Sequence, residues 1–185
     1  LVAYALSDRW CVEAMVQAVA HDNRDDAVRE VVRSTLVAMG GFEVLTWSFE
    51  DASAAPVVTY WSSGKLLPLR NPKGHVDRTL RNSVGPGLAK VLRVNEGCGE
   101  TLHPVFEIAH VYFEQPDGDA PGEKTVLTIA HPAGVAGVRR FVDVVLDRLQ
   151  LKAESAPLPA AWLEAGRELK LGAERLGWMG RLGRH

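Results

Sequence analysis

The chain of 185 residues is 46% hydrophobic and 24% charged, ordinary values for a globular protein long enough to bury a core. A formal net charge of −2 supplies no basic footprint of the kind nucleic-acid binding needs, so no nucleic-acid partner is expected. Cys11 and Cys98 are too few for a disulfide scaffold, and neither a signal-peptide pattern nor a membrane-length apolar run is visible. A cytoplasmic location is the expectation.

In chain order, Val12, Met15, Val16 and Val19 form a helical stripe over 8–20. Val28, Val31, Val32, Thr35, Leu36 and Met39 form a longer one over 25–39, with Asp22 and Asn23 ahead as caps and Gly40-Gly41 behind. FEVLTWSFE (42–50) and VVTYW (57–61) read as a hairpin around DASAAP. Apolar residues on both parities of 42–50 predict a central strand covered on both faces. A helix is predicted over 75–84 and a short element over 88–94, with Gly85-Pro86-Gly87 cutting between them.

TLHPVFEIAHVYFEQ and EKTVLTIAHPAG then flank a turn-rich PDGDAPG, which predicts a second antiparallel hairpin within 101–134. VAGVRRFVDVVLDRLQL follows as a strongly amphipathic helix. Residues 154–161 have a linker's composition, and 162–185 carry helical spacing through Leu163, Leu169, Ala173 and Leu176. The expectation is an α+β domain over 1–153, a linker and a C-terminal helical tail. Its antiparallel sheet has about four to five strands in two hairpins, covered by helices. Profilin-like, roadblock, GAF and PAS domains share this order of elements, an analogy of topology that carries no function.

Chemistry is sparse. Pairing Glu114 with Lys124 would set Glu107 opposite His131, a carboxylate–imidazole pair suited to acid–base work, with His110 nearby on the same hairpin. A slip of register destroys that pair. Cys98, His103 and His110, with Glu100 or Glu107, are metal-ligand types at spacings that match no zinc pattern, so no metal is expected. Residues 83–90 have the composition of an anion-binding nest but lack the P-loop and dinucleotide spacings, so a plain helix break is the stronger reading. No nucleophile motif occurs, and the residues nominate no cofactor.

Trp47, Tyr60 and Trp61 on one hairpin, with Phe106 and Tyr112 on the other, are candidates to wall a ligand pocket, although aromatics more often build core. In the tail, Trp162, Leu169, Leu176 and Trp178 are candidates to bind a partner or a second copy of the chain. The leading expectation is a non-catalytic sensor or adaptor, a regulatory domain binding a protein partner or a small ligand. The alternatives are a small acid–base enzyme and a structural subunit anchored by the tail.

Overall fold

The computed structural model describes residues 13–16, 25–51, 65–72, 79–115, 120–158 and 163–182. Through these residues the elements run β1 (Glu13–Val16), α1 (Asp25–Ala38), β2 (Phe42–Glu43), β3 (Phe49–Glu50), β4 (Leu67–Pro68), β5 (Thr79–Leu80) and α2 (Gly85–Gly97). There follow β6 (Val105–Phe113), β7 (Gly122–Ala130), α3 (Gly134–Arg148), β8 (Glu154–Pro157), β9 (Leu163–Leu171) and β10 (Glu174–Leu182). The fold is mixed α+β, as expected, and its sheets are built mainly of antiparallel pairs.

A seven-stranded sheet has the order β2-β6-β7-β1-β10-β9-β8, and a small sheet has the order β3-β5-β4. Among the described residues only the two-residue β2 runs parallel to its neighbour, β6. Because opposed residues share a face, the register separates two cores. Phe106, Leu127, Ile129, Leu169 and Met179 pack with Val32 and Leu36 of α1 and with Val138, Phe141, Val142 and Val145 of α3. Val105, Val111, Val126 and Trp178 pack on the other side with Val84, Leu88 and Leu92 around α2. Both faces of β6 and β7 are therefore covered.

α1, the second hairpin and α3 lie where the periodicity puts them. Elsewhere tertiary structure overrides local pattern. Residues 13–16, read as the middle of a helix, form a strand between β7 and β10. The predicted strand over 42–50 is two short ones in different sheets, and β2 is an edge rather than a centre. VVTYW (57–61), the predicted partner strand, lies outside the described residues. Gly85-Pro86-Gly87 does not cut a helix but opens α2, where Pro86 sits in the first turn. The predicted helix over 75–84 is overturned at Thr79–Leu80, which is β5.

The C-terminal reading changes most. Glu154–Pro157 is a strand rather than a linker, and β9 and β10 form a hairpin inside the main sheet rather than a helical tail. Burying Leu169, Leu176, Trp178 and Met179 is worth about 1.5–3 kcal/mol per large side chain. Helix preference offers only a few tenths per residue, and the glycines of this stretch erode it. Gly172 adopts φ +60° in the two-residue turn between the strands, a backbone that glycine supplies at no steric cost. With β1 and β10 as the first and last described elements, the order differs from the one shared with profilin, GAF and PAS domains.

Candidate functional site

The segment from Phe42 to Phe49 climbs the open edge of the main sheet and passes into the small one. It starts as a strand: Phe42 N–H donates to Pro104 O at 2.8 Å and Val44 N–H to Phe106 O at 2.9 Å. Beyond Val44 this regular pairing with β6 stops, and side chains take over. The Thr46 hydroxyl donates to Glu107 Oε2 at 2.6 Å. Arg81 Nη1 reaches Thr46 Oγ1 at 2.8 Å, Glu107 Oε1 at 3.1 Å and the carbonyls of Thr46 and Trp47, each at 3.4 Å.

Arg81 also joins the two sheets through its backbone. Its N–H donates to Ser48 O at 3.0 Å, and its carbonyl accepts from Tyr112 N–H at 2.9 Å. Arg81 Nε donates to His110 O at 3.0 Å. One residue thus holds the edge segment, β6 and the end of β5 together. Arg81 is 3% exposed and Glu107 1%, and burial strengthens the attraction between their charges. From α2, a Cβ on Gly87 would stand 2.7 Å from Thr46 Oγ1, so glycine is what lets that helix approach the clamp.

The opposite aspect of the segment is apolar and open. Leu45 is 86% exposed and Trp47 83%, with Phe49 also exposed on the same parity. Val44, Thr46 and Ser48 are partly buried between them. The alternation is that of an extended chain with one face held inward and the other presented to solvent. Apolar residues contiguous in this way on a surface mark an interaction site more often than isolated ones do.

Across the α2 side of the main sheet, the register aligns Glu107, Thr128, position 15, Trp178 and Glu168 in one row. Thr128 is fully buried, and its hydroxyl has no hydrogen-bond partner among the described residues. Glu168 is buried beside the cations of Lys170, at 2.8 Å, and Arg175. Each buried carboxylate of the row therefore has a cationic partner from this chain.

The expected carboxylate–imidazole pair does not form. Glu107 lies opposite Thr128, a register three residues from the one that would face it to His131. His131 instead accepts the Ala133 N–H on Nδ1 at 3.0 Å, at the start of α3, with its ring edge-on to Phe141. Burial, and then the charge of Arg140, hold its pKa below the ordinary histidine value. His110 pairs with Glu123 across the hairpin at the surface. The His103 ring lies tilted against that of Phe42, and Cys98 is exposed. The stretch considered as an anion nest is packed inside, with Ser83, Val84 and Gly85 buried.

Of the aromatic pocket candidates, Phe106 is core and Trp47 faces solvent, so the structure does not bring them together. Tyr112 is half-buried on β6, while Tyr60 and Trp61 lie outside the described residues. Leu169, Leu176 and Trp178, proposed as partner-binding, are buried in the two cores. Trp162 lies outside the described residues. Sequence reasoning missed Arg81 and Thr46. No periodic signal marks either, and Arg81 stands 26 positions from Glu107.

The family model described as the phenylalanyl tRNA synthetase beta chain CLM domain matches residues 13–185. The chain is 30% identical over 164 residues to the phenylalanine–tRNA ligase beta subunit of Thermobifida fusca, a match covering 85% of this chain and 17% of that protein. To the corresponding subunit of Rhodopirellula baltica it is 26% identical over 141 residues, covering 74% of this chain and 21% of that one. The chain thus spans only about a fifth of the length of these relatives. A crystal structure of pyrrolysyl-tRNA synthetase from Desulfitobacterium hafniense shares the fold at TM-score 0.65 and 16% identity, with 85% of this chain and 59% of that one covered.

These matches overturn the sensor, adaptor and regulatory-domain readings, and with them the expectation that nucleic acid has no place among the partners. The net charge misled because it is summed over a chain that spans only about a fifth of these relatives. Among the described residues no helix is long and apolar enough to cross a membrane. By its match over 13–185, the chain belongs to the phenylalanyl-tRNA synthetase β-chain CLM domain family.

Proposed function

We propose that this chain is a subunit-packing portion of a phenylalanine–tRNA ligase β subunit, which works in the cytoplasm with a second kind of subunit and with tRNA. The observation that carries the reading is the exposed apolar face of Leu45, Trp47 and Phe49, on the segment that runs from the edge of the main, synthetase-type sheet into the small one. Exposed aromatic side chains of this kind, tryptophan above all, are the usual anchors of a protein interface, and Leu45 extends the apolar surface beside Trp47. The partner is the other subunit of the ligase, since the relatives are named as β subunits.

The clamp supports the same reading. Glu107 is engaged by Arg81 and Thr46, and Glu168 by Lys170 and Arg175. In this proposal Glu107 therefore acts as a positioning group and not as a general base. Co-purification of the β chain carrying this sequence with its α subunit tests the proposal. Leu45→Asp and Trp47→Asp should each abolish the complex and the formation of phenylalanyl-tRNA while leaving the β chain folded. Undiminished assembly in both variants would sink it.

A further inference from the structure

We infer that Arg81 is a positioning residue for subunit docking: with Glu107 and Thr46 it sets the path of residues 44–48 so that Leu45 and Trp47 are presented outward. The inference rests on the proposed docking role of the strip and adds what holds the strip in shape.

Three observations carry it. First, the main-chain pairing of the edge segment with β6 ends at Val44. The polar backbone of the next four residues must then be satisfied in some other way. Second, Arg81 takes up part of it. The carbonyls of Thr46 and Trp47 lie within reach of Nη1, and the carbonyl of Ser48 accepts the Arg81 N–H. A planar guanidinium with several fixed donors suits this task, whereas a lysine ammonium would reach fewer of the acceptors in one geometry.

Third, the clamp is anchored deep while the strip is open. Glu107 belongs to a nine-residue strand paired along its whole length with β7, so its carboxylate is a rigid reference point. The Thr46 hydroxyl is shared, accepting from Arg81 and donating to Glu107. That fixes Thr46 inward, and the alternation of an extended chain then fixes Leu45 and Trp47 outward. A segment held this way has little conformational freedom to lose on docking, and preorganisation of that kind raises affinity without adding a contact.

The test measures the dissociation constant between the α subunit and the β chain carrying this sequence, at a temperature where every variant is fully folded. Thr46→Val removes the shared hydroxyl and keeps the side-chain shape. The paired change Arg81→Met with Glu107→Leu removes the clamp and leaves no unpaired buried charge. Both should weaken association by about tenfold or more and should speed amide hydrogen exchange at residues 44–48. A role confined to stability would alter neither reading under fully folded conditions. If the paired variant fails to fold, Thr46→Val decides alone. Unchanged affinity in the clamp variants, with binding lost in Leu45→Asp, would overturn the inference and leave the docking role standing. Unchanged affinity in Leu45→Asp and Trp47→Asp alike would overturn the docking role and the inference together.

Discussion

Arg81 and Glu107 meet at 3.1 Å, with their side chains 4% and 1% exposed. An ion pair at this depth is costly to form and costlier to break from one side, because a lone buried charge keeps its desolvation penalty without its partner. Arg81→Ala and Glu107→Ala are each expected to destabilise the fold by about 3–5 kcal/mol. The paired replacement by Met and Leu should cost less than either single change, since it leaves no charge behind. Urea unfolding of the three variants checks this. Singles that cost under about 1 kcal/mol would match a solvent-exposed pair instead.

Thr128, the direct neighbour of Glu107 on β7, gives the opposite case. Its buried hydroxyl finds no acceptor or donor among the described residues. Thr128→Val keeps the branched shape that suits a strand and deletes the orphaned group. The variant is expected to be more stable by about 1 kcal/mol, the usual penalty for a buried polar group without a partner. A lower thermal midpoint would instead reveal a hydrogen-bond partner for that hydroxyl in the folded chain.

Gly137 is required by His131. A Cβ at 137 would stand 2.3 Å from His131 Nδ1 and 2.6 Å from Cγ, so the whole ring would have to move. Gly137→Ala gains up to about 1 kcal/mol of helix propensity, yet it displaces the ring from the Ala133 N–H and from Phe141. A net loss of roughly 1–2 kcal/mol is expected. The wild-type ring serves as an acceptor in its neutral form, and its folded pKa lies below the ordinary 6.5. The contribution is thus present above pH 6.5 and lost as pH falls through the depressed folded value. Unfolding curves at pH 7.5 and 5.5 should show that loss in the wild type, and a smaller loss in Gly137→Ala.

The parts of this fold that were legible in the sequence are those whose residues meet neighbours close in the chain. Val28 through Met39 repeat with the helical period, and so do Val135 through Leu149, because each stripe lies on the same sheet face. The hairpin of β6 and β7 shows itself through β-branched arms around a polar turn. Its register did not, because the connection from Glu114 to Pro121 is long enough to fit several offsets. The strand character of β9 and β10 was masked by leucines whose spacing also satisfies a helix. Only the neighbours supplied by residues 13–16 and by α3 decide between the two. Arg81 and Thr46 were invisible for a related reason: their partners come from segments 26 and 61 positions away, and no local pattern encodes such a meeting.

Glu50 makes the surroundings of the clamp sensitive to pH. It pairs with Thr79 at the start of the small sheet, and burial lifts its pKa from the usual 4.5 to about 7, with the charge of Arg81 pulling the other way. Arg81 is already committed to Glu107, so its charge offsets only part of the cost of ionising Glu50. A carboxyl whose folded pKa is raised binds its proton more tightly in the folded state than in the unfolded chain. Its contribution to stability is therefore complete below about pH 4.5 and is lost as pH rises through about 7. Glu50→Gln, neutral throughout, should match the wild type near pH 4.5 and exceed it at pH 8. The gain should be on the order of 1–2 kcal/mol after allowance for the group's partial exposure to solvent. Urea midpoints across that range give the measurement. A wild type that stays level with Glu50→Gln at pH 8 would mean that Glu50 ionises at no cost, with Arg81 or water compensating it in full.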